Sequence, residues 1–278
     1  GLSLSLVPVV YGVLLHFRAT NAFLRQEWPG PQGAPFDLNA AYVGAMIVTA
    51  LACRAGACFY RRTMPILTSI YFFATAAATL VAAAGLLWVL DLKPWETQAP
   101  LVMLIPIAYL VAARLYRGHS PEEPLLWVAH ASTVVMMVCT LFAALRFPGQ
   151  VVEPIVGETR NLLFALFCAE AAVFYGLAAS FRKEGWNVYL ATLLACGALW
   201  QLLIYWHTPY EYYTVIFAVA GTALLVAYRL AVLENTAWSG LATAAFQSAN
   251  GLLSLGFLSG ALVTLSRLAM TEAELGNL

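Results

Sequence analysis

The chain contains long apolar stretches with almost no charged residues, and they constrain its fold more than any other feature. A helix of about 20 apolar residues crosses the roughly 30 Å hydrocarbon core of a bilayer. Strands of membrane β-barrels instead alternate in polarity over about ten residues, a pattern that is not found here. We therefore predict an all-α integral membrane protein with about nine transmembrane helices. The predicted spans are residues 2–18, 38–60, 64–90, 99–116, 124–146, 160–181, 186–206, 212–233 and 241–268.

The composition excludes a soluble domain of this size. The 278 residues are 62% hydrophobic and 10% charged, whereas a soluble domain is about 25% charged. Because so few charged side chains could not cover an apolar core, the apolar residues must face lipid. The net charge is zero, so no basic surface indicates a nucleic-acid partner.

Motifs that would indicate catalysis or metal binding are absent from the sequence. There is no phosphate-binding loop, nucleophile elbow, zinc-protease motif or dinucleotide-binding glycine pattern. The cysteines lie inside apolar stretches without Cys-x-x-Cys spacing, so we predict neither a metal site nor a disulfide. We predict no catalytic residue, and the sequence argues against an enzyme. The cysteines are Cys53, Cys58, Cys139, Cys168 and Cys196.

Two parts of the chain resemble each other. Residues 60–62 (Tyr-Arg-Arg) match residues 181–183 (Phe-Arg-Lys) at an offset of 121, and residues 110–115 match residues 225–230 at an offset of 115. A weaker match at an offset of 117 places His130 opposite Gln247. We predict two four-helix repeats, 34–150 and 153–268, which an even number of helices makes parallel to each other. The alternative is chance similarity between helices rich in Leu and Ala.

The segments outside the predicted repeats are a first helix with a surface loop, residues 1–33, and a polar tail, residues 269–278. The first helix ends in His-Phe-Arg at residues 16–18, which resembles the polar ends of the fifth and ninth predicted spans. We therefore hypothesise that it closes an earlier repeat, and that the chain belongs to a longer protein.

The distribution of Lys and Arg predicts the orientation, because short cytoplasmic loops are enriched in them. Seven basic residues lie near the ends of the second, fourth, sixth and eighth spans, on one side of the membrane, and six lie on the other side. The seven are also more tightly clustered. We expect the amino terminus inside and the carboxyl terminus outside, in a bacterial inner membrane.

Ionisable residues deep in a span are costly, at about 2.5–3.5 kcal/mol for Arg or Asp at the helix centre, and are therefore candidates for function. Glu170 lies near the middle of the sixth predicted span. It is a candidate proton carrier or cation site, or alternatively a carboxyl that is hydrogen-bonded to a neighbouring helix. Arg54 lies six residues before the end of the second span. Its side chain can extend to the interface or pair with Glu170. His130 and Gln201 are expected to form interhelical hydrogen bonds rather than ligate a group.

The densest aromatic run, residues 205–213, predicts an interfacial belt around a tight turn between helices. The alternative is an outer pocket for an aromatic or quinone-like ligand, with His207, Glu211 and Tyr210 as contacts. A haem held by His16 and His207 is disfavoured, because nothing else in the sequence indicates it. We predict no cofactor other than bound lipid.

Small residues at four-residue spacing allow helices to approach closely. Gly256 and Gly260 show this spacing in the ninth predicted span, and Ala52 and Gly56 show it in the second. These positions are predicted to pack within the bundle or against a partner. A Gly256→Leu substitution would then test partner binding.

The leading functional hypothesis is a non-catalytic scaffold, anchor or accessory subunit of a larger membrane assembly. Its expected partners are the lipid bilayer, other membrane subunits or further parts of a longer chain. The alternative is a small-molecule or proton-coupled transporter with Glu170 as the coupling carboxyl. An enzyme acting at the aromatic rim is a third, weaker hypothesis.

Overall fold

A computed structural model describes residues 34–90, 92, 95–145, 159–234 and 239–275. These ranges are helical throughout except for short turns and contain no strand. Within these ranges, eight helices are long and apolar enough to cross a membrane, which is consistent with the predicted all-α membrane protein. The first predicted span, residues 2–18, lies outside the described residues. The helices are α1 Ala34–Tyr60, α2 Pro65–Val89, α3 Trp95–Leu115, α4 Glu122–Leu145, α5 Thr159–Arg182, α6 Gly185–Tyr205, α7 Tyr210–Glu234 and α8 Ser239–Leu275.

Large apolar side chains are exposed along the spans, where a soluble protein would place charged ones. Contact with hydrocarbon has no free-energy cost for such side chains, so the exposed face of each helix can be as apolar as its buried face. Exposed examples inside the spans are Val48, Leu51, Leu193, Val219 and Leu255.

Hydroxyl groups inside the spans bond to the backbone of their own helix. Thr75, Thr133 and Thr192 each donate to the carbonyl four residues earlier, at 2.7–2.9 Å. Because hydrocarbon contains no water that could accept a hydrogen bond, a hydroxyl needs such an internal acceptor. These residues therefore fit lipid-embedded helices without requiring a partner helix.

The chain divides into two compact units, Gly1–Phe147 and Pro148–Leu278. In the first unit α1 packs along α2, α3 packs along α4, and α2 also contacts α4. Two side chains join its helices: Tyr109 Oη donates to the Ala76 carbonyl at 2.9 Å, and Trp95 Nε1 donates to Thr140 Oγ1 at 2.9 Å.

The second unit has its own set of helix contacts. Helix α5 packs along α6, α7 packs along α8, and α6 also contacts α8. At the α6–α8 contact the Tyr189 hydroxyl donates to Gln247 Oε1. A Cβ added at Gly185 would lie 3.1 Å from the Gly240 carbonyl oxygen. Glycine at residue 185 therefore lets the first turns of α6 and α8 approach closely.

Candidate functional site

Glu170 lies in α5 of the second unit, where its residue is half-buried. Its Oε2 is buried and has no hydrogen-bond partner among the described residues. A buried carboxyl oxygen without a partner is costly in a medium without water, so it is a candidate for binding a proton or a cation. Its predicted pairing with Arg54 stays a prediction.

Arg54 lies in α1 of the first unit, with its guanidinium 4.9 Å from the centre of the Phe72 ring. That distance is within the range of a cation–π interaction, which attracts the charge to the ring face. The side chain remains exposed. No ion pair joins it to a carboxylate in the described part of the chain.

A cavity of about 690 Å³ opens beside Arg54, between the helices of the first unit. We call it the cationic cavity, because Arg54, Arg61 and His119 lie on its wall. It is formed by the last turns of α1 and α3, the middle of α2 and the turn between α3 and α4, with α4 at its edge. Its lining residues are Arg54, Ala57, Cys58, Arg61, Phe72, Thr75, Ala76, Thr79, Tyr109, Ala112, Leu115, Tyr116, His119, Pro121 and Leu125.

The second unit contains a cavity of the same volume, about 690 Å³, which we call the apolar cavity. Alanine and leucine form most of its wall, and Ser180, Thr192, Cys196 and Tyr228 are its polar or weakly polar members. None of the described residues that line it is charged. Glu170 is not among its lining residues, although Ala172 and Val173 of the same helix are. The unpartnered carboxyl oxygen and the cavity are therefore separate features of this unit.

The other predicted intramembrane polar residues lie apart from these features. His130 is half-buried in α4, next to the buried hydroxyls of Ser132 and Thr133. Gln201 is half-buried in the last turn of α6. Neither of them lines the cationic or the apolar cavity. Within the described ranges, no group of three or more His, Cys, Asp or Glu is placed to hold a metal ion.

The predicted aromatic rim lies at the turn between α6 and α7. His207, Tyr210 and Glu211 are all exposed. The ring of Tyr213 contacts both Trp200 and Tyr210, with centroids 5.6 and 5.3 Å away. This contact between α6 and α7 is what an interfacial belt would provide. The alternative of a ligand pocket here stays a prediction.

His207 ends α6 with a backbone φ of 57°, in the left-handed region. Its Nδ1 lies 3.0 Å from the Tyr205 carbonyl oxygen. The left-handed region costs an ordinary residue about 1–2 kcal/mol, whereas glycine enters it without a steric penalty. The position thus has a structural role, as the residue that reverses the chain before Pro209.

We expect His207→Gly to raise the free energy of unfolding by about 0.5–1 kcal/mol, because the strain is relieved at some cost in chain entropy. His207→Ala keeps the strain and should give no such gain. Unfolding in detergent micelles, followed by tryptophan fluorescence, measures both. A glycine variant no more stable than the alanine variant would contradict backbone strain at this position.

The predicted packing glycines lie at contacts inside their own units. A Cβ at Gly56 would lie 3.0 Å from Tyr71 Cε1. A Cβ at Gly260 would lie 3.0 Å from Thr214 Cγ2, and one at Gly256 would lie 3.5 Å from the Thr214 carbonyl oxygen. Gly256→Leu would therefore disturb the α7–α8 contact and cannot serve as a clean test of partner binding.

The sequence analysis did not identify most residues of the cationic cavity as candidate site residues. Phe72, Tyr109 and His119 come from separate segments, and nothing in their local sequence links them to Arg54. One signal was available, because Arg54 and Arg61 are basic residues near the same end of the second predicted span. A comparison with known protein families, curated proteins and solved structures finds no match for the chain.

Proposed function

We propose that the chain is a non-catalytic membrane domain, a scaffold or accessory subunit that packs against helices of partner membrane subunits. The observation that carries this proposal is a stripe of polar and small residues on the exposed face of α8. Its members are Thr243, Gln247, Asn250, Gly251 and Ser254. Their spacing places them on one side of a helix.

Such a stripe differs from the apolar surface that lipid favours. Small residues allow two helix backbones to approach, and polar side chains hydrogen-bond across the contact at about 0.6–2 kcal/mol each. Within the described residues, Asn250 Nδ2 donates only to the Phe246 carbonyl of its own helix, at 2.9 Å. Its carbonyl oxygen can therefore accept a hydrogen bond from a partner helix.

We expect Gly251→Leu to reduce assembly without unfolding the unit. A Cβ at Gly251 meets nothing within 4 Å, so the added side chain projects from the stripe into the space of a partner. Gly44→Leu is the matched control, because Gly44 is also an exposed helical glycine with nothing within 4 Å of its Cβ. Native mass spectrometry of the particle extracted in mild detergent measures its mass.

The expected result is a larger particle for the wild type and Gly44→Leu, and a smaller one for Gly251→Leu. A wild-type particle containing one copy of the chain and no other protein would contradict the proposal. Equal masses for all three proteins would exclude the stripe as the contact.

A proton-coupled transporter is the second candidate, supported by the buried, unpartnered Oε2 of Glu170. It ranks below the scaffold because the apolar cavity of the same unit does not include this residue. A transporter should move protons into proteoliposomes down an imposed gradient, and Glu170→Gln should abolish that flux, since an amide cannot exchange the proton. Glu123→Gln is the control, because Glu123 is exposed at the start of α4. A wild-type flux equal to that of empty liposomes would exclude this candidate.

The internal duplication remains part of the proposal and has support in each unit. Three packing contacts recur in both: first with second helix, third with fourth, and second with fourth. The first unit also has a smaller contact between its second and third helices. Residues lining the two cavities also correspond. The four from the second helix of the first unit, Phe72, Thr75, Ala76 and Thr79, each have a lining counterpart 120 residues later, namely Thr192, Ala195, Cys196 and Leu199. Val188 and Ala191 line the second cavity without such a counterpart.

The other helices give offsets close to those of the sequence. Tyr109 and Ala112 correspond to Leu224 and Ala227 at 115 residues. Leu125 of the fourth helix corresponds to Ala242 at 117. The offsets of 115 and 117 equal those of the sequence matches in the same helices, which supports duplication over chance similarity.

The orientation also remains a proposal. Arg61 and Arg62 follow α1, and Arg182 and Lys183 end α5, as expected for cytoplasmic loops. We infer an inside amino terminus and an outside carboxyl terminus, in a bacterial inner membrane. Cysteine labelling from either side of sealed vesicles tests it.

A further inference from the structure

We propose that the cationic cavity of the first unit binds the phosphate headgroup of an anionic phospholipid. Basic pockets between transmembrane helices on the cytoplasmic side are where such headgroups bind. The inference is independent of the scaffold proposal, because it rests on the inner wall of the first unit and not on the stripe of α8.

Two arginines supply the positive charge. Arg54 lies two turns before the end of α1, and Arg61 directly follows its last residue, Tyr60. Both are exposed and line the cavity. Among the described residues neither forms an ion pair with a carboxylate, so their charge is available to a ligand.

The Arg54 guanidinium is held in place before any ligand arrives. Its Cζ lies 4.9 Å from the centre of the Phe72 ring. Phe72 offers no hydrogen-bond acceptor on its ring, so this contact leaves the N–H groups available to donate to a ligand. Guanidinium edges match phosphate oxygens, often through two parallel hydrogen bonds. The contact with Phe72 therefore reduces the entropy cost of forming those bonds.

The remaining wall favours a lipid over a soluble anion. Ala57, Ala76 and Ala112 form apolar surface inside the cavity, and Leu115 at its edge is 78% exposed. Arg54 lies about 9 Å inside the end of α1, at 1.5 Å per residue. A lipid headgroup reaches this depth with its acyl chains along Leu115, whereas inorganic phosphate would have to leave water.

The second unit offers an internal comparison, under the duplication proposed above. Gly176, Ala179 and Ser180 of α5 line the apolar cavity at the same spacing with which Arg54, Ala57 and Cys58 of α1 line the cationic cavity. The two cavities have equal volume, but no charged side chain is found among the described residues that line the second. Selectivity for anionic lipid should therefore belong to the first unit alone.

The test measures binding of a fluorescent anionic phospholipid, phosphatidylglycerol, to the whole chain in detergent micelles. We expect Arg54→Gln and Arg61→Gln each to weaken binding by about fivefold, in line with the effect of one basic residue near anionic lipid. Arg62→Gln is the matched control: it removes the same charge from the neighbouring exposed position, which does not line the cavity. Arg54→Lys, which keeps the charge, should lose less affinity than Arg54→Gln. A lysine variant that still binds shows that replacing Arg54 does not by itself unfold the protein.

A second readout uses Cys58, an exposed thiol that lines the cavity. Phosphatidylglycerol should slow its reaction with a maleimide, and the exposed Cys139 of α4 serves as the unprotected reference. Equal protection by zwitterionic phosphatidylcholine would overturn the proposal. So would a loss of affinity in Arg62→Gln as large as in Arg54→Gln. Inorganic phosphate that displaces the lipid at equal concentration would identify a soluble anion as the ligand and would also overturn it.

Discussion

Replacing Tyr71 with alanine is expected to destabilise the first unit by about 3–4 kcal/mol, the range found for removing a buried aromatic ring. Tyr71 is 1% exposed and packs on Cys53 and Ala57. Its ring also lies parallel to that of Tyr60, with centroids 5.8 Å apart. Alanine would leave a cavity that the rigid helices α1 and α2 cannot close.

The glycine at position 56 explains why this site is so sensitive. A Cβ there would lie 3.0 Å from Tyr71 Cε1, so the tyrosine ring fills the space that the glycine leaves. In a bilayer, lipid is as apolar as the core, and close packing contributes more to helix association than burial does. The loss in Tyr71→Ala is therefore mainly a loss of dispersion contacts.

Phe73→Ala is the matched control for this prediction. Phe73 lies two residues away on the same helix, but it is 46% exposed. Its truncation should cost less than about 1 kcal/mol, because lipid replaces the lost contacts. Reversible unfolding in mixed micelles measures both variants. Equal losses for Tyr71→Ala and Phe73→Ala would contradict the packing described for α1 and α2.

The second large effect is expected for Gly260→Leu, which should destabilise the second unit by about 2–3 kcal/mol through overpacking. A Cβ alone at Gly260 would come within 3.0 Å of Thr214 Cγ2 and 3.3 Å of its Oγ1. Threonine is β-branched and has few rotamers through which to yield. Leucine adds three further carbon atoms, so α7 and α8 must move apart.

Gly251→Leu provides the comparison within the same helix. Its Cβ meets nothing within 4 Å, and leucine has a higher helix propensity than glycine by up to about 1 kcal/mol. The stability of this variant should therefore equal or exceed that of the wild type. Thermal unfolding in detergent separates the two variants. A Gly260→Leu protein as stable as the wild type would refute a close α7–α8 contact at Thr214.

Helix ends show where prediction from sequence reaches its limit. Helix α3 begins at Trp95, four residues before the predicted start, and continues through Pro100 and Pro106. Helix α8 continues to Leu275, seven residues past the predicted end of its span. Hydropathy reports which residues prefer lipid, whereas the backbone hydrogen bonds of a helix continue into polar sequence.

The candidate sites also combine features that can be predicted from sequence with features that cannot. The depth of Glu170 and Arg54 could be predicted, because depth follows from position within an apolar stretch. The neighbours of these residues could not, since Phe72 reaches Arg54 only through the packing of α2 on α1. The roles of the glycines were likewise undecided between internal contact and partner contact until Tyr71 and Thr214 were located.

The sequence by itself determined the membrane class, the positions of the described spans and the scarcity of charge within them. These properties follow from the transfer of each side chain between water and lipid, which depends on local composition. Only the tertiary structure decided which helices pair and which side chains line the two cavities. Those contacts join residues far apart in the chain, and lipid solvates every apolar face equally well, so periodicity does not reveal which face is buried.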